Sequence, residues 1–227
     1  MLGLEEKYAY AVGRTRAVEA GLLDRGAIDR MIDAADVQSA FRILEEAGYA
    51  HIDSFLQELL AIDKILEQEE LKLLRFIEEA SPDQRLKKLI TLKHDYHNLK
   101  VTLKAAAYNV SPGIALSNLG TISIEAIEKA VSGEIHEIPL EFRSAIEKAQ
   151  AIYSLRPSPE IIDIVIDNSM YAALLDLVQT IGISFLTEQI KREIDFINIS
   201  IFLRAKKMKR DKWLLDHAFV KGGNVDC

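Results

Sequence analysis

The chain has 227 residues, 49% of them apolar, which is enough for one or two hydrophobic cores. Its net charge of −7 argues against nucleic-acid binding by the whole molecule, and its single cysteine, Cys227, excludes internal disulfides and cysteine-based metal sites. No apolar run approaches the ~18 residues that a membrane helix needs, and the N-terminus lacks the pattern of a secretory signal. We therefore expect a cytoplasmic protein without membrane-spanning helices.

Apolar residues recur at spacings of three and four along almost the whole chain, which contains only 11 Gly and 5 Pro. This pattern predicts an all-α protein without strands. In the first half, helices are predicted over residues 8–20, 27–32, 37–47, about 52–80 and 81 to about 107, with Ser81 as N-cap of the last and Pro82 at its first helical position. In the second half, helices are predicted over residues 124–131, 139–155, about 159–181 and 184–209.

One helical segment occurs twice. Residues 95–105 align with residues 195–205, one hundred positions later, with Asp, Asn, Leu and Ala identical. Upstream, residues 27–32 align with residues 126–131 at an offset of ninety-nine. Such an internal period indicates duplicated helical units. We predict a first unit at residues 1–109, a second at 110–212 and the start of a third at 213–227.

The repeated segment carries an Asp-x-x-Asn pair in each copy. Asp95 with Asn98, and Asp195 with Asn198, are three residues apart, so each pair lies on one face of its helix. Functional carboxylates are one interpretation. The other is structural, with each pair hydrogen-bonded to an adjacent helix end or to a neighbouring Lys or Arg. We favour the structural role, because repetition in both units fits architecture better than a unique active site.

The polar residues show no strong signature of a catalytic or cofactor site. The chain has no Gly-x-x-x-x-Gly-Lys-Ser/Thr phosphate loop, and none of its five histidines stands in a Glu-x-x-His di-iron motif. His94 and His97 lie three apart on one predicted helix, but two imidazoles without an obvious third ligand make a weak metal site. We therefore predict no catalytic residue, no cofactor and no metal.

A basic stretch follows the second repeated helix. Six cations lie within nine residues: Arg204, Lys206, Lys207, Lys209, Arg210 and Lys212. Basic residues at a helix C-terminus are favoured by the helix dipole, so solvated capping is one explanation. Binding to acidic surfaces of partner subunits, or to anionic lipid headgroups, is the other. Arg14 and Arg16 in the first helix have the same two interpretations.

Three of these segments together resemble the C-subunit family of A-type and V-type ATPases, which includes the d subunit of the eukaryotic V-ATPase. They are residues 8–16, residues 89–105 with Asp95 and Asn98, and residues 185–207 with Asp195 and Asn198. The resemblance implies a funnel-like, pseudo-symmetric array of three helical units. It also implies a non-catalytic spacer between the central stalk and the membrane rotor ring, held at the membrane through protein partners.

The main hypothesis is therefore a rotor subunit that supports proton or sodium transport. Alternatives are an unrelated α-helical adaptor that binds a soluble partner, and a helical enzyme with a carboxylate-lined pocket. Because the sequence holds two units and the threshold of a third, we expect the native protein to continue for ~100 residues beyond Asp226 with another Asp-x-x-Asn helix. The chain as given is then expected to dimerise, to aggregate or to leave residues 213–227 irregular.

Overall fold

The structure is a computed structural model, and it describes residues 4–49, 60–134, 137–210 and 212–225. Its helices, in chain order, are α1 (Leu4–Glu19), α2 (Arg25–Ile32), α3 (Val37–Glu46), α4 (Leu60–Ala80), α5 (Arg85–Tyr108), α6 (Ile124–Val131), α7 (Leu140–Leu155), α8 (Pro159–Ile181), α9 (Ser184–Met208) and α10 (Lys212–Ala218). No strand occurs within these ranges, so the predicted all-α fold class is confirmed. None of the helices described there is long and apolar enough to cross a membrane.

The chain divides into two compact units, Met1–Lys87 and Lys88–Cys227. This division falls inside α5, whereas the predicted repeat boundary lies at residues 109/110. The difference arises because most of α5 packs into the second unit. A repeat boundary and a compact-unit boundary are different properties of a chain, so the predicted repeat units, and their funnel-like array, stay predictions.

The first unit is built from short capped helices and one long helix. The Asp24 carboxylate accepts a hydrogen bond from the backbone N–H of Ala27 at 2.6 Å and caps α2, while Asp36 accepts from Ser39 N–H at 2.7 Å and caps α3. Helix α1 packs against α4, in which Leu74 is buried. The predicted start of α4 near residue 52 lies outside the described residues.

The predicted start of α5 needs correction. The helix begins at Arg85, so Ser81 is not its N-cap and Pro82 is not its first residue. The Ser81 hydroxyl instead accepts from the backbone N–H of Asp83 at 3.1 Å and donates to the Asp83 carbonyl at 2.9 Å. The Asp83 carboxylate accepts from Arg85 N–H at 3.0 Å, so the capping function passes to a residue two positions later. Local side-chain bonds of this kind compete with an earlier helix start.

The second unit surrounds one hydrophobic core. Helix α5 buries Leu92, Tyr96, Leu99 and Leu103, whose 4-3-4 spacing places them on one face of the helix. Residues of α6, α7, α8 and α9, with Ile138 and Val220 between helices, complete the cluster. The ring of Tyr96 stacks on that of Phe142 with centroids 4.4 Å apart. The repeated polar residues of α5 are thereby fixed on a rigid, well-packed helix.

Helices α8 and α9 pack together, and α9 carries the remaining repeated segment. Pro159 starts α8 and Gly182, at φ 78°, ends it, as their positions predict. Helix α9 ends at Met208, where Lys209 adopts a left-handed φ of 51°. The structure contains a further short helix, α10, that the sequence analysis does not predict. The rings of Trp213 and His217 stack on each other within it.

Candidate functional site

Asp95 and Asn98 of α5 hold the loop that precedes α6. The Asn98 side chain donates to the Ser117 carbonyl and accepts from Ser117 N–H, both at 2.8 Å. Asp95 Oδ1 accepts from the backbone N–H groups of Thr121 at 2.7 Å and Ile122 at 2.9 Å, and Oδ2 accepts from the Thr121 hydroxyl at 2.7 Å. We call this pair the α5 clamp. Its partners are groups of a loop, neither a helix end nor a basic side chain.

Asp195 and Asn198 of α9 form the same arrangement, here called the α9 clamp. The Asn198 side chain donates to the Val220 carbonyl and accepts from Val220 N–H, both at 2.9 Å. Asp195 Oδ1 accepts from the backbone N–H groups of Asn224 at 2.8 Å and Val225 at 3.0 Å. The two repeated pairs therefore occupy equivalent places and bind equivalent atoms. Their assignment as structural residues stays a prediction of role.

Each clamp closes over a glycine that the sequence analysis did not single out. A Cβ atom on Gly120 would lie 2.5 Å from Asp95 Oδ1, and one on Gly223 would lie even closer to Asp195 Oδ1. Both separations are too short for any side chain without movement of the carboxylate. The signal in the sequence was a shared Gly-x-aliphatic pattern, in residues 120–122 and 223–225.

The two clamps differ in their exposure to water. Asp95 is 1% exposed, whereas the Asp195 side chain is only half-buried and its loop partners Asn224 and Val225 are exposed. Burial raises the pKa of the Asp95 carboxyl above its ordinary value, and the hydrogen bonds from Ile122 and Thr121 oppose that shift. The α5 clamp is therefore the one whose carboxylate is itself buried.

The histidine pair of α5 contacts the same loop. His97 Nε2 is 2.8 Å from the Ala115 carbonyl, and His94 Nδ1 is 3.0 Å from the Ser117 hydroxyl. Each ring thus has a partner in the loop that the α5 clamp holds. Within the described ranges, no group of three or more His, Cys, Asp or Glu side chains is arranged to hold a metal ion.

Charged residues missed by the sequence analysis link the helices of the second unit. Glu193 accepts from Lys93 Nζ at 2.7 Å and from the Tyr171 hydroxyl at 2.8 Å, joining α5, α8 and α9. Lys93 and Glu193 are one hundred positions apart, so the two repeats contact each other through equivalent positions. Burial, followed by the hydrogen bond to Glu193, raises the pKa of the Tyr171 phenol.

A cavity of about 540 Å³ in the second unit bears on the enzyme alternative. Its lining includes the carboxylates Asp163 and Asp167. The first is ion-paired with Lys104 at 2.6 Å and the second with Lys100 at 2.5 Å. Carboxylates that are already paired provide helix-to-helix contacts and give no sign of activation for acid or base chemistry.

The predicted basic stretch lies at the C-terminus of α9. Its cations are exposed at Arg204, Lys206, Lys207, Lys209, Arg210 and Lys212. Arg210 forms an ion pair with Glu160 of α8. For Lys206, Lys207 and Lys209, no ion-pair partner lies within 4.0 Å in the part of the chain that the structure describes. The structure therefore brings these three together as a cationic helix end, here called the α9 basic end.

Arg14 and Arg16 lie in the first unit and have intramolecular partners. The Arg14 guanidinium donates to Glu79 Oε2 at 3.1 and 3.2 Å and lies 5.3 Å from the centre of the Phe76 ring. The hydrogen bond to Glu79 raises the pKa of Arg14. Arg16 pairs with Glu19 one turn later at 2.5 Å. A binding role for the two arginines stays a prediction.

The chain is similar to known proteins over most of its length. The ATP synthase (C/AC39) subunit family matches residues 11–226. The chain is also 23% identical over 213 residues to the C subunit of the V-type sodium ATPase of Enterococcus hirae, a match that covers 92% of this chain and 64% of that protein. The family predicted from the repeated segments is confirmed: the chain belongs to the ATP synthase (C/AC39) subunit family.

Proposed function

We propose that this chain is a non-catalytic subunit of the central rotor of an A/V-type ATPase. In this role it links the central stalk to the membrane proteolipid ring and supports ATP-coupled proton or sodium transport. The observation that carries the proposal is the family match over residues 11–226. That match also disfavours an adaptor unrelated to rotary ATPases.

The polar residues of the second unit support a mechanical role. The clamp carboxylates and amides bind loop backbone, and Glu193, Asp163 and Asp167 bind lysines of a neighbouring helix. Such contacts use polar groups to fix the scaffold. A subunit that transmits torque needs a rigid scaffold, and packed helices with satisfied hydrogen bonds resist deformation.

The α9 basic end is the surface we assign to partner contact. Its three lysines are exposed and lie at a negative helix terminus, where cations are retained at little cost. Exposed cations of this kind attract acidic surfaces and mainly affect association. We infer that they meet an acidic surface of the stalk or ring, so that the protein is peripheral to the membrane through its protein partners.

Copurification tests the role itself. The tagged chain, expressed with the stalk and ring subunits of the rotary ATPase from the same organism, is expected to elute with them from an affinity column. Retention of neither stalk nor ring subunits under conditions in which those subunits are soluble and folded would contradict the proposal.

Charge reversal tests the surface. The variant Lys206→Glu, Lys207→Glu, Lys209→Glu is expected to weaken copurification at least several-fold, because it replaces attraction by repulsion at the same points. Arg210 stays unchanged because it pairs with Glu160. The control variant, Lys148→Glu, Arg192→Glu, Lys221→Glu, changes the net charge equally at other exposed positions. Equal retention of both variants, with native circular dichroism, would leave helix capping as the function of the basic end.

A further inference from the structure

A cavity of about 490 Å³ in the second unit, here called the α10 cavity, is lined by residues of α7, α8 and α10. Much of its lining is apolar, with Ile152 of α7, Ile161 and Val165 of α8, and Trp213 of α10. Small-molecule sites in proteins commonly have volumes of ~300–1,000 Å³ and a mainly apolar lining with a few polar groups. The α10 cavity therefore has the size and the lining of a site for a ligand with an apolar body.

Charged side chains in the same lining carry an excess of positive charge. Lys148 of α7 and Lys221, which follows α10, contribute two positive charges, and Asp216 of α10 contributes one negative charge. With the His217 ring neutral, one positive charge is left over. Electrostatic complementarity then favours a ligand with a single negative charge.

The two lysines are available to such a ligand. Within the described ranges, neither Lys148 nor Lys221 has an ion-pair partner within 4.0 Å. The backbone that carries Lys221 is fixed, because Asn198 holds the preceding residue, Val220, by two hydrogen bonds at 2.9 Å. Lys148 lies on α7 next to the buried Ala149. Both cations are thus carried by ordered backbone and have no internal acidic partner.

The aromatic part of the lining is held by its own contacts. The Trp213 ring stacks on the His217 ring with centroids 4.1 Å apart, and the Arg156 guanidinium carbon lies 4.2 Å from the centre of the Trp213 ring. His217 Nδ1 donates to the Trp213 carbonyl at 2.8 Å. Because these groups are already ordered, binding costs less conformational entropy than it would at a mobile surface.

We propose that the α10 cavity binds an amphipathic monocarboxylate of the fatty-acid class. Its carboxylate lies between Lys148 and Lys221, and its hydrocarbon tail covers the apolar lining beside Trp213. This inference goes beyond the proposed rotary role and does not depend on it. Copurification is measured without the ligand, and ligand binding is measured on the purified chain alone.

The cavity contains its own reporter, because Trp213 is the only tryptophan of the chain. Dodecanoate brominated at its terminal carbon, at concentrations below micelle formation, is expected to quench Trp213 fluorescence on contact. Unlabelled dodecanoate is expected to restore the emission by competition. Acetate, which lacks the tail, and dodecyltrimethylammonium, which has the same tail with a positive head group, are expected to compete at least about ten-fold more weakly.

Substitutions test the charges. Lys148→Gln with Lys221→Gln is expected to weaken dodecanoate binding at least about three-fold, and Asp216→Asn is expected to strengthen it about two-fold, as exposed charges do. The matched control is Lys191→Gln with Arg192→Gln, which removes two positive charges of α9 outside the cavity and is expected to leave binding unchanged.

A bulky side chain tests the position of the tail. Ala172 of α8 is exposed and lines the cavity, so Ala172→Phe is expected to occupy the space of the tail and weaken binding at least about ten-fold. Gln179→Phe is the control, because Gln179 is exposed on the same helix outside the cavity. Circular dichroism is expected to show that both variants keep the parent fold.

Four outcomes would overturn the proposal. Absence of quenching by the brominated acid would show that the cavity does not bind it. Equal competition by dodecyltrimethylammonium would show that the lysines do not select a negative charge. Equal loss of binding in the lysine variant and its control would indicate non-specific attraction. Quenching by vesicles of brominated phosphatidylglycerol, with none by the free acid, would assign the surface to a membrane instead.

Discussion

Asp95 illustrates how one buried carboxylate organises a loop. Its two oxygens accept three hydrogen bonds from Thr121 and Ile122, and they do so at 1% exposure, where water cannot replace them. Deleting the carboxylate removes the acceptor of two backbone N–H groups and leaves a space where a buried side chain stood, which is more costly than losing the hydrogen bonds of an exposed residue.

We therefore expect Asp95→Ala to lower the free energy of unfolding by about 2–5 kcal/mol. Asp95→Asn is expected to cost less, because its amide oxygen can still accept from both backbone N–H groups. Asp195→Ala is expected to cost less than Asp95→Ala, since the Asp195 side chain is only half-buried. Urea denaturation followed by circular dichroism measures all three, and an equal cost for Asp95→Ala and Asp195→Ala would contradict the difference in burial.

The same residue gives a pH dependence with a definite sign. Burial raises the folded-state pKa of Asp95 above the ordinary 3.8. Between the ordinary and the raised pKa, the native state therefore binds more protons than the unfolded state. The contribution of Asp95 to stability is full below the ordinary pKa and falls as pH rises through the raised one. The stability advantage of the parent over Asp95→Asn is accordingly expected to shrink from about pH 3 to neutrality. An advantage that grows over this range would contradict the shift.

The clamped glycines give a further prediction. Gly120→Ala and Gly223→Ala each place a methyl group within 2.5 Å of a clamp carboxylate oxygen. Each is expected to destabilise the chain by about 1–3 kcal/mol, because the carboxylate must move from its amide partners. Gly13→Ala in α1 is the control, since nothing lies within 4 Å of its added Cβ and alanine favours a helix. Thermal unfolding of the three variants tests this, and a neutral Gly120→Ala would contradict it.

At the scale of elements, aligned helices of the repeat have different surroundings. Helix α5 buries its apolar face against α6 and α7, whereas α9 exposes the aligned residues. The contrast shows that two similar helices bury different faces when different elements pack against them. Which residues of such a helix are buried can therefore be stated only when the neighbouring elements are known.

Phe142 tests the packing on α5. Phe142→Ala in α7 removes the ring that stacks on Tyr96 and is expected to cost about 3–5 kcal/mol of unfolding free energy. Leu155→Ala at the end of the same helix is the control, because this side chain is 87% exposed, and its effect is expected to stay within about 0.5 kcal/mol. Chemical denaturation separates the two. Similar midpoints would mean that the Tyr96 and Phe142 stack contributes little to the core.

For the whole molecule, the expectation concerns nucleotides. The sequence lacks a phosphate loop, and Gly222 and Gly223, which follow Lys221, lie against Leu175 and Asp195 instead of forming an anion cradle. We expect isothermal titration calorimetry with Mg-ATP to show no binding by the purified chain, and phosphate-release assays to show no hydrolysis. Stoichiometric heat of binding would contradict this and would require a nucleotide site of a different design.

Much of the architecture was predictable from periodicity. Spacings of three and four predicted the helices, and α6 and α8 have the predicted bounds because Ser123, Pro159 and Gly182 are local start and stop signals. The Asp-x-x-Asn repeat predicted that Asp95 and Asp195 are equivalent. These features depend on residues within one or two turns, so the sequence displays them directly.

Only the tertiary structure decided which atoms the repeated pairs bind. Asp95 contacts a loop 26 and 27 residues later, and Asp195 a loop 29 and 30 residues later, distances at which sequence spacing carries no geometric information. The same holds for the aligned faces of α5 and α9. Their residues are similar in sequence, yet Tyr96 is buried and Phe196 exposed, because burial depends on the neighbouring helices and cannot be determined by the pattern of one helix.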